Sequence, residues 1–266
     1  MNRRDFGLLC ASGLLFTSLN KDTLQSGLLN GNEVDSSTTS EPPIRLLLVV
    51  GGHGYDQKNL HEMLRSFPSV TFEEITIPEQ QGILKPGLSQ NYDVVVFHDQ
   101  SFFELSSEQK EDLENLFGKE GIPTVMLHHS LISHPDYPFF RDLFGAQYLL
   151  KDTEIDNRVY PASSYLHPTE VNIYIAHRQH PITDGVPDFT ITDEVFKNVY
   201  YNPHIDVLAR TDHPDGDRPV VWTWQYKKSP VLGIIQGDAG GAFTNQYYRK
   251  IFYQGIRYII QAKRSV

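Results

Sequence analysis

The chain of 266 residues carries a single cysteine, Cys10. One cysteine excludes a disulfide framework, a thiolate zinc site and a Cys-x-x-Cys redox pair. Cys10 lies inside the N-terminal apolar run and not after it, which argues against a lipid-bearing cysteine, and cleavage of that segment leaves no thiol nucleophile. Basic charge is also scarce. There are 23 Lys+Arg against 33 Asp+Glu, a net charge of -10, and no Lys/Arg cluster in the body of the chain. A protein that binds nucleic acid needs a basic face, so no nucleic-acid partner is expected. Long apolar runs are missing too: the run ending at Leu19 covers about 14 residues, short of the ~20 that span a bilayer, so no stable transmembrane anchor is expected.

What is present is the composition of a globular protein with a core, 39% hydrophobic and 21% charged. Arg3-Arg4, with Phe6 close behind and an apolar run following, has the layout of a twin-arginine export signal over residues 1–19. Residues 20–43 are rich in Asn, Ser, Thr and Gly, end in Pro42-Pro43 and read as a flexible linker. The folded domain is then 44–266 and its expected location the periplasm.

Within it, 44–50, 93–97, 123–127 and 231–235 are short, continuous apolar runs, the pattern of strands buried on both faces. Helical spacing at Leu60, Met63, Leu64 and Phe67, and at Leu113, Leu116 and Phe117 behind a Ser106 cap, alternates with those strands. Residues 246–260 form the strongest helical pattern. The expected fold is α/β, a mostly parallel sheet with helices on both faces, and a β-rich insertion over 150–230.

In such a sheet ligands sit at the carboxyl ends of the strands. Three strands end in histidine here: Gly51-Gly52-His53, His98-Asp99, and His128-His129-Ser130. The last strand ends in Gln236-Gly237-Asp238. Imidazoles near neutrality serve as acid or base, which makes His128 and His129 the catalytic candidates together with Asp238 and Glu194. His53, Tyr55, Asp99, Asp193, Trp222 and Gln236 are the candidate substrate-binding residues. Asp193-Glu194 reads equally as a solvated turn after a strand, and Trp222 equally as core. Ser130 lacks the Gly-x-Ser-x-Gly elbow of a serine nucleophile, and Gly51–Gly54 lacks the dinucleotide fingerprint. No cofactor is evident. A divalent metal, zinc, on His53, His128, His129 and Asp238 is the alternative the donor types allow.

Taken in order, Gly51-Gly52-His53, Tyr92–Phe97, Val125–Ser130, His180–Gly185, Pro187–Val195, Val207–Ala209, Pro219–Trp222 and Gly255–Tyr258 resemble the ThuA family, a trehalose-utilisation type with a class I glutamine amidotransferase-like (flavodoxin-like, three-layer) fold. The resemblance covers 44 to about 262. It implies a carbohydrate ligand, a disaccharide or keto-sugar. A sugar oxidoreductase of the same pathway and a second copy of the chain are the protein partners expected. That fold normally carries a cysteine on the elbow after its central strand. In register, His128 stands there, so no glutaminase activity is expected. Family members commonly show Leu-Gly-His-Asp after the last strand, where this chain has Asp238 in place of the imidazole.

Three readings follow: proton-transfer chemistry on a sugar, a non-catalytic sugar-binding accessory protein, and a metal-dependent hydrolase. The export reading predicts that Arg3→Lys/Arg4→Lys accumulates in the cytoplasm when cell fractions are blotted, because twin-arginine export depends on the guanidinium pair. Periplasmic recovery of the double variant contradicts it.

Overall fold

The computed structural model describes residues 42–238 and 240–265. The expected signal, and the linker apart from Pro42 and Pro43, lie outside the described residues. The first half alternates strand and helix: β1 (Ile44–Gly51), α1 (Gln57–Arg65), β2 (Val70–Thr76), β3 (Val94–Asp99), α2 (Ser107–Leu113), β4 (Thr124–Leu127) and α3 (Pro138–Phe144). Short strands β5 (Ala146–Gln147), β6 (Thr153–Ile155) and β7 (Arg158–Tyr160) lead into β8 (Ser164–Ile175) and β9 (Phe189–Lys197). Then come β10 (Tyr200–Tyr201), β11 (Asp206–Arg210), β12 (Pro219–Tyr226), β13 (Ser229–Ile234), α4 (Gly240–Thr244) and α5 (Gln246–Arg264).

One nine-stranded sheet has the order β2-β1-β3-β4-β13-β12-β11-β8-β9. Its first five strands are parallel, and the remainder join antiparallel. The strand-rich segment is therefore no separate lobe: its longer strands extend the main sheet. β3 and β4 are buried along their whole length, as continuous apolar runs require. Asp56 caps α1 through the Asn59 amide. Ser106 and Gln109 cap α2 reciprocally, after which the helix widens into a π-helical turn (Glu114–Glu120) that closes at Gly121, φ +74°.

Leu232 and Gly233 on β13 point to opposite faces. α5 lies against Leu232, whose methyl would meet a Cβ at Gly255 at 2.4 Å. On the other face Trp222 crosses Gly233, where an added Cβ would fall 2.1 Å from the indole. Trp222 is fully buried, and its Nε1–H donates to the Phe144 carbonyl at 3.0 Å. The candidate substrate wall at Trp222 is thereby corrected to core: the glycine opposite makes a slot that α3 closes. The solvated-turn reading of Asp193 and Glu194 is corrected too. They sit inside β9, not in a turn after it, and both are buried. The alternation of β9 stops there because its second half is covered on both sides.

β8 and β9 do not lie flat. Their register shifts between Leu166 and Thr169, and β8 meets β11 through Ile175 and Tyr174. A bulge of this kind bends a strand pair. The bent hairpin returns to the carboxyl rim, where Gly241 is so close to β9 that a Cβ would lie 2.2 Å from the Thr192 carbonyl. At the other face, Trp222→Ala is expected to cost ~3–5 kcal/mol in urea unfolding, through a cavity and a lost hydrogen bond. A loss under ~1 kcal/mol would contradict a core role.

Candidate functional site

β4 ends at Leu127, and the next residue, His128, takes φ +44°. A non-glycine residue in that region is strained and persists only where its surroundings over-determine it. Here both ring nitrogens are engaged. Nδ1–H donates to the Ile235 carbonyl at 2.5 Å, and Nε2 faces Glu194 Oε2 at 2.9 Å. The ring stacks on Phe196, 4.9 Å between centroids. Both partners are acceptors, so the two contacts are made together by a ring that carries a proton on each nitrogen, with Nε2–H turned toward Glu194.

His129 follows on the same short 3-10 turn, with Nε2 3.2 Å from Asp238 Oδ1. Asp238 Oδ1 also lies 3.8 Å from His128 Nε2, and its other oxygen is 2.8 Å from His167 Nδ1. One donor atom from each of His128, His129, Glu194 and Asp238 lies within 4.8 Å of all the others. The four residues proposed from the sequence as the reactive set are thus brought together. His53 is exposed beside the cluster, its ring 4.3 Å from that of His129. The Gly51-Gly52 turn that carries it needs glycine twice: at φ +143° and +74° an added Cβ would strike the Ile77 and Gln100 carbonyl oxygens.

Asp193 holds the arrangement from behind. Its Oδ1 accepts backbone N–H groups of Glu194 (2.8 Å), Gly237 (3.2 Å) and Asp238 (3.2 Å). Its Oδ2 is buried without a partner among the described residues. His98 lies deeper, with Nε2 2.9 Å from the Gly237 carbonyl.

The remaining candidates are placed elsewhere. Tyr55 turns its hydroxyl to Glu74 at 2.8 Å and meets the cluster only through the edge of His98. Asp99 accepts from Ser130 and Ser133, so its carboxylate is taken up by the turn after β4. Gln236 is buried; its carbonyl accepts the Tyr248 hydroxyl. Sequence reasoning missed His167. Only the start of a strand at Val171 showed an apolar pattern; His167 sits in the exposed first half of β8, where no periodicity marks it. The one available signal was a histidine beside proline, just upstream of that strand.

The electrostatics follow from burial and proximity. Burial pulls His128 down, but the Glu194 hydrogen bond and the charges of Asp193 and Glu194 outweigh it, and its pKa rises. Burial brings His129 down to about 4, aided by His128 and His53 and opposed by Asp238. The hydrogen bond from His129 holds Asp238 at about 2 against burial, with His128 and His167 adding positive charge. A neutral His129 donating Nε2–H to an ionised Asp238 satisfies both. Burial is the main cause that brings His98 down to about 3, with the nearby imidazoles adding to it, and burial raises Asp193.

The family model for ThuA, trehalose utilisation, matches residues 46–259. The chain belongs to the ThuA family. Membership sets it in a carbohydrate-related context. A ThuA-like protein from Parabacteroides merdae superposes with a TM-score of 0.67 at 17% identity, over 83% of this chain and 91% of that one. A second from Bacteroides uniformis gives 0.62 at 14%, over 84% and 94%. A GMP synthase-type protein from Thermoplasma acidophilum gives 0.50 at 14%, over 85% and 98%. At these identities the likeness is one of fold, ThuA-like and glutamine amidotransferase-like. No curated protein matches the sequence.

Asp193 gives a stability test. Asp193→Asn keeps the Oδ1 acceptor and is expected within about 1 kcal/mol of the parent, since burial already disfavours its charge. Asp193→Ala leaves buried N–H groups unpaired, at ~1–3 kcal/mol for each left without water. Equal losses for the two in chemical denaturation would contradict the role assigned to Oδ1.

Proposed function

We propose that this chain is an exported enzyme that moves a proton on a carbohydrate, a disaccharide or keto-sugar, at the cluster of His128, His129, Glu194 and Asp238. The observation that carries the reading is their convergence: two imidazoles and two carboxylates from three segments, with donor atoms within 4.8 Å of one another. Groups that act on one bound atom must meet in this way. The carbohydrate comes from the family, whose name is trehalose utilisation, and export rests on Arg3-Arg4.

The side chains divide the work by exposure. His128 is wholly buried and held from both ring nitrogens. With no ring nitrogen free and no exposed surface, His128 holds Glu194 in position, and Glu194 is the group of this pair that meets the ligand. His129 and Asp238 form the second pair, nearer solvent. On the exposed side, His53 and His167 offer hydrogen bonds to sugar hydroxyls. A proton taken from a hydroxyl, or from the carbon beside a sugar ketone, passes to the pair it faces. The glutaminase reaction is excluded by His128 at the elbow, since the body of the chain has no thiol. Asp238 bears on the choice between an enzyme and a binding protein. It is engaged by His129 and His167 and does not point away, which favours chemistry over the accessory reading.

Turnover of a panel of disaccharides and 3-keto-glycosides tests this. His128→Ala and Glu194→Gln are expected to lower kcat by ~100-fold or more, the usual scale of acid–base assistance, with melting temperatures near the parent's for Glu194→Gln. Binding of a panel sugar without turnover in the wild type, with both variants changing only affinity, would establish the accessory reading in its place.

A further inference from the structure

We propose that His128, His129, Glu194 and Asp238 hold one divalent transition-metal cation of the zinc, manganese or cobalt class. The inference goes beyond the sugar reading and stands without it: with the ion bound the four side chains are its ligands, and the acid–base roles given above belong to the metal-free chain. Its ligand set differs from the one the sequence suggested: Glu194 takes the place of His53, which lies outside the set and bonds the Gly54 carbonyl through Nδ1 at 2.6 Å.

Distances between donor atoms carry the argument. A tetrahedral ion with bonds of about 2.0–2.1 Å places its ligand atoms roughly 3.3 Å apart. Here His128 Nε2 lies 2.9 Å from Glu194 Oε2 and 3.8 Å from Asp238 Oδ1, and His129 Nε2 lies 3.2 Å from the same oxygen. These three of the six edges bracket the tetrahedral edge, and the other pairs, all within 4.8 Å, draw in when an ion is bound. Hydrogen bonding alone fits the group less well. His128 has at most one proton on Nε2, and two carboxylates face it. A divalent ion offsets both carboxylate charges at once and satisfies all four donors.

The outer contacts are those that orient metal ligands. A ligating histidine gives its other N–H to a carbonyl or carboxylate, as His128 Nδ1–H does to Ile235. A ligating carboxylate is itself hydrogen-bonded, as Asp238 is by His167 through its second oxygen. The backbones bearing Glu194 and Asp238 are tied together by the buried Asp193 carboxylate. Two imidazoles and two carboxylates suit zinc, manganese or cobalt better than calcium or magnesium, which take all-oxygen shells. Four protein ligands complete a tetrahedral shell, the arrangement of a structural ion, and Lewis-acid chemistry on a sugar would need a fifth position.

The test is metal analysis of the full chain purified without a polyhistidine tag, followed by chelation and titration with zinc, manganese and cobalt ions. About one equivalent per chain is expected, or one equivalent taken up on titration, with a rise in melting temperature and, for cobalt, a visible spectrum of tetrahedral type. Glu194→Gln and Asp238→Asn should lose at least ~10-fold in affinity, and His167→Ala ~10–100-fold as an outer contact. His53→Ala should keep the full equivalent. If His128→Ala fails to fold, the wild-type stoichiometry and the two isosteric variants still decide. Substoichiometric metal with no uptake of any of the three ions, or uptake abolished by His53→Ala but not by Glu194→Gln, overturns the assignment. A chain that holds one equivalent yet leaves every sugar untouched contradicts only the function proposed above. A chelated chain with undiminished turnover and no metal uptake contradicts only the site proposed here.

Discussion

The candidate site depends on one carboxylate that does not face the imidazole pairs. Asp193, wholly buried on β9, accepts the N–H groups of Glu194, Gly237 and Asp238 on a single oxygen. β9 is the last strand of a nine-stranded order and stands four places from β13, the strand that leads to Asp238. Nothing in a flat sheet would join them. The bulged β8–β9 hairpin bends back over the rim, and the Asp193 staple fixes where it lands. Glu194 thereby reaches His128, and Asp238 reaches His129. A charge buried that deeply would be costly, and burial does raise its pKa. The backbone donors are what make a carboxyl group tolerable there.

The second constraint is the elbow. The fold presents one residue at the end of its central parallel strand in a conformation that few side chains adopt, and in this chain that residue is His128. In the amidotransferase-like architecture the position suits a nucleophile, because the backbone turn projects the side chain above the sheet. An imidazole projected there cannot act as a thiol does. It can sit between carboxylates delivered by two other segments, and it does. The imidazole at the elbow and the carboxylates gathered around it thus depend on the same backbone geometry.

Much of this was legible in the residues. Continuous apolar runs identified the parallel strands because burial on both faces removes alternation, and the Ser106–Gln109 pair announced its helix by the spacing of its cap. His128, His129 and Asp238 could be placed on one rim because each directly follows a strand or its first turn. The rest was hidden for physical reasons. Trp222 lies in an alternating strand, and only the glycine across from it on β13 shows that its face is closed. Asp193 and Glu194 looked like the polar end of a strand, since no local pattern reports a hairpin that folds back and covers both faces. His167 came from an exposed stretch of β8, where the apolar signal is silent.

The central claim is that the converged imidazoles and carboxylates move a proton on a sugar. Deuterium exchange reads that step directly. A 3-keto-glycoside incubated with the protein in deuterium oxide, followed by NMR, should lose the proton on the carbon beside its ketone faster than in buffer alone, whether or not a product is released. Exchange no faster than in buffer, under conditions where titration shows the same sugar bound, would contradict the account.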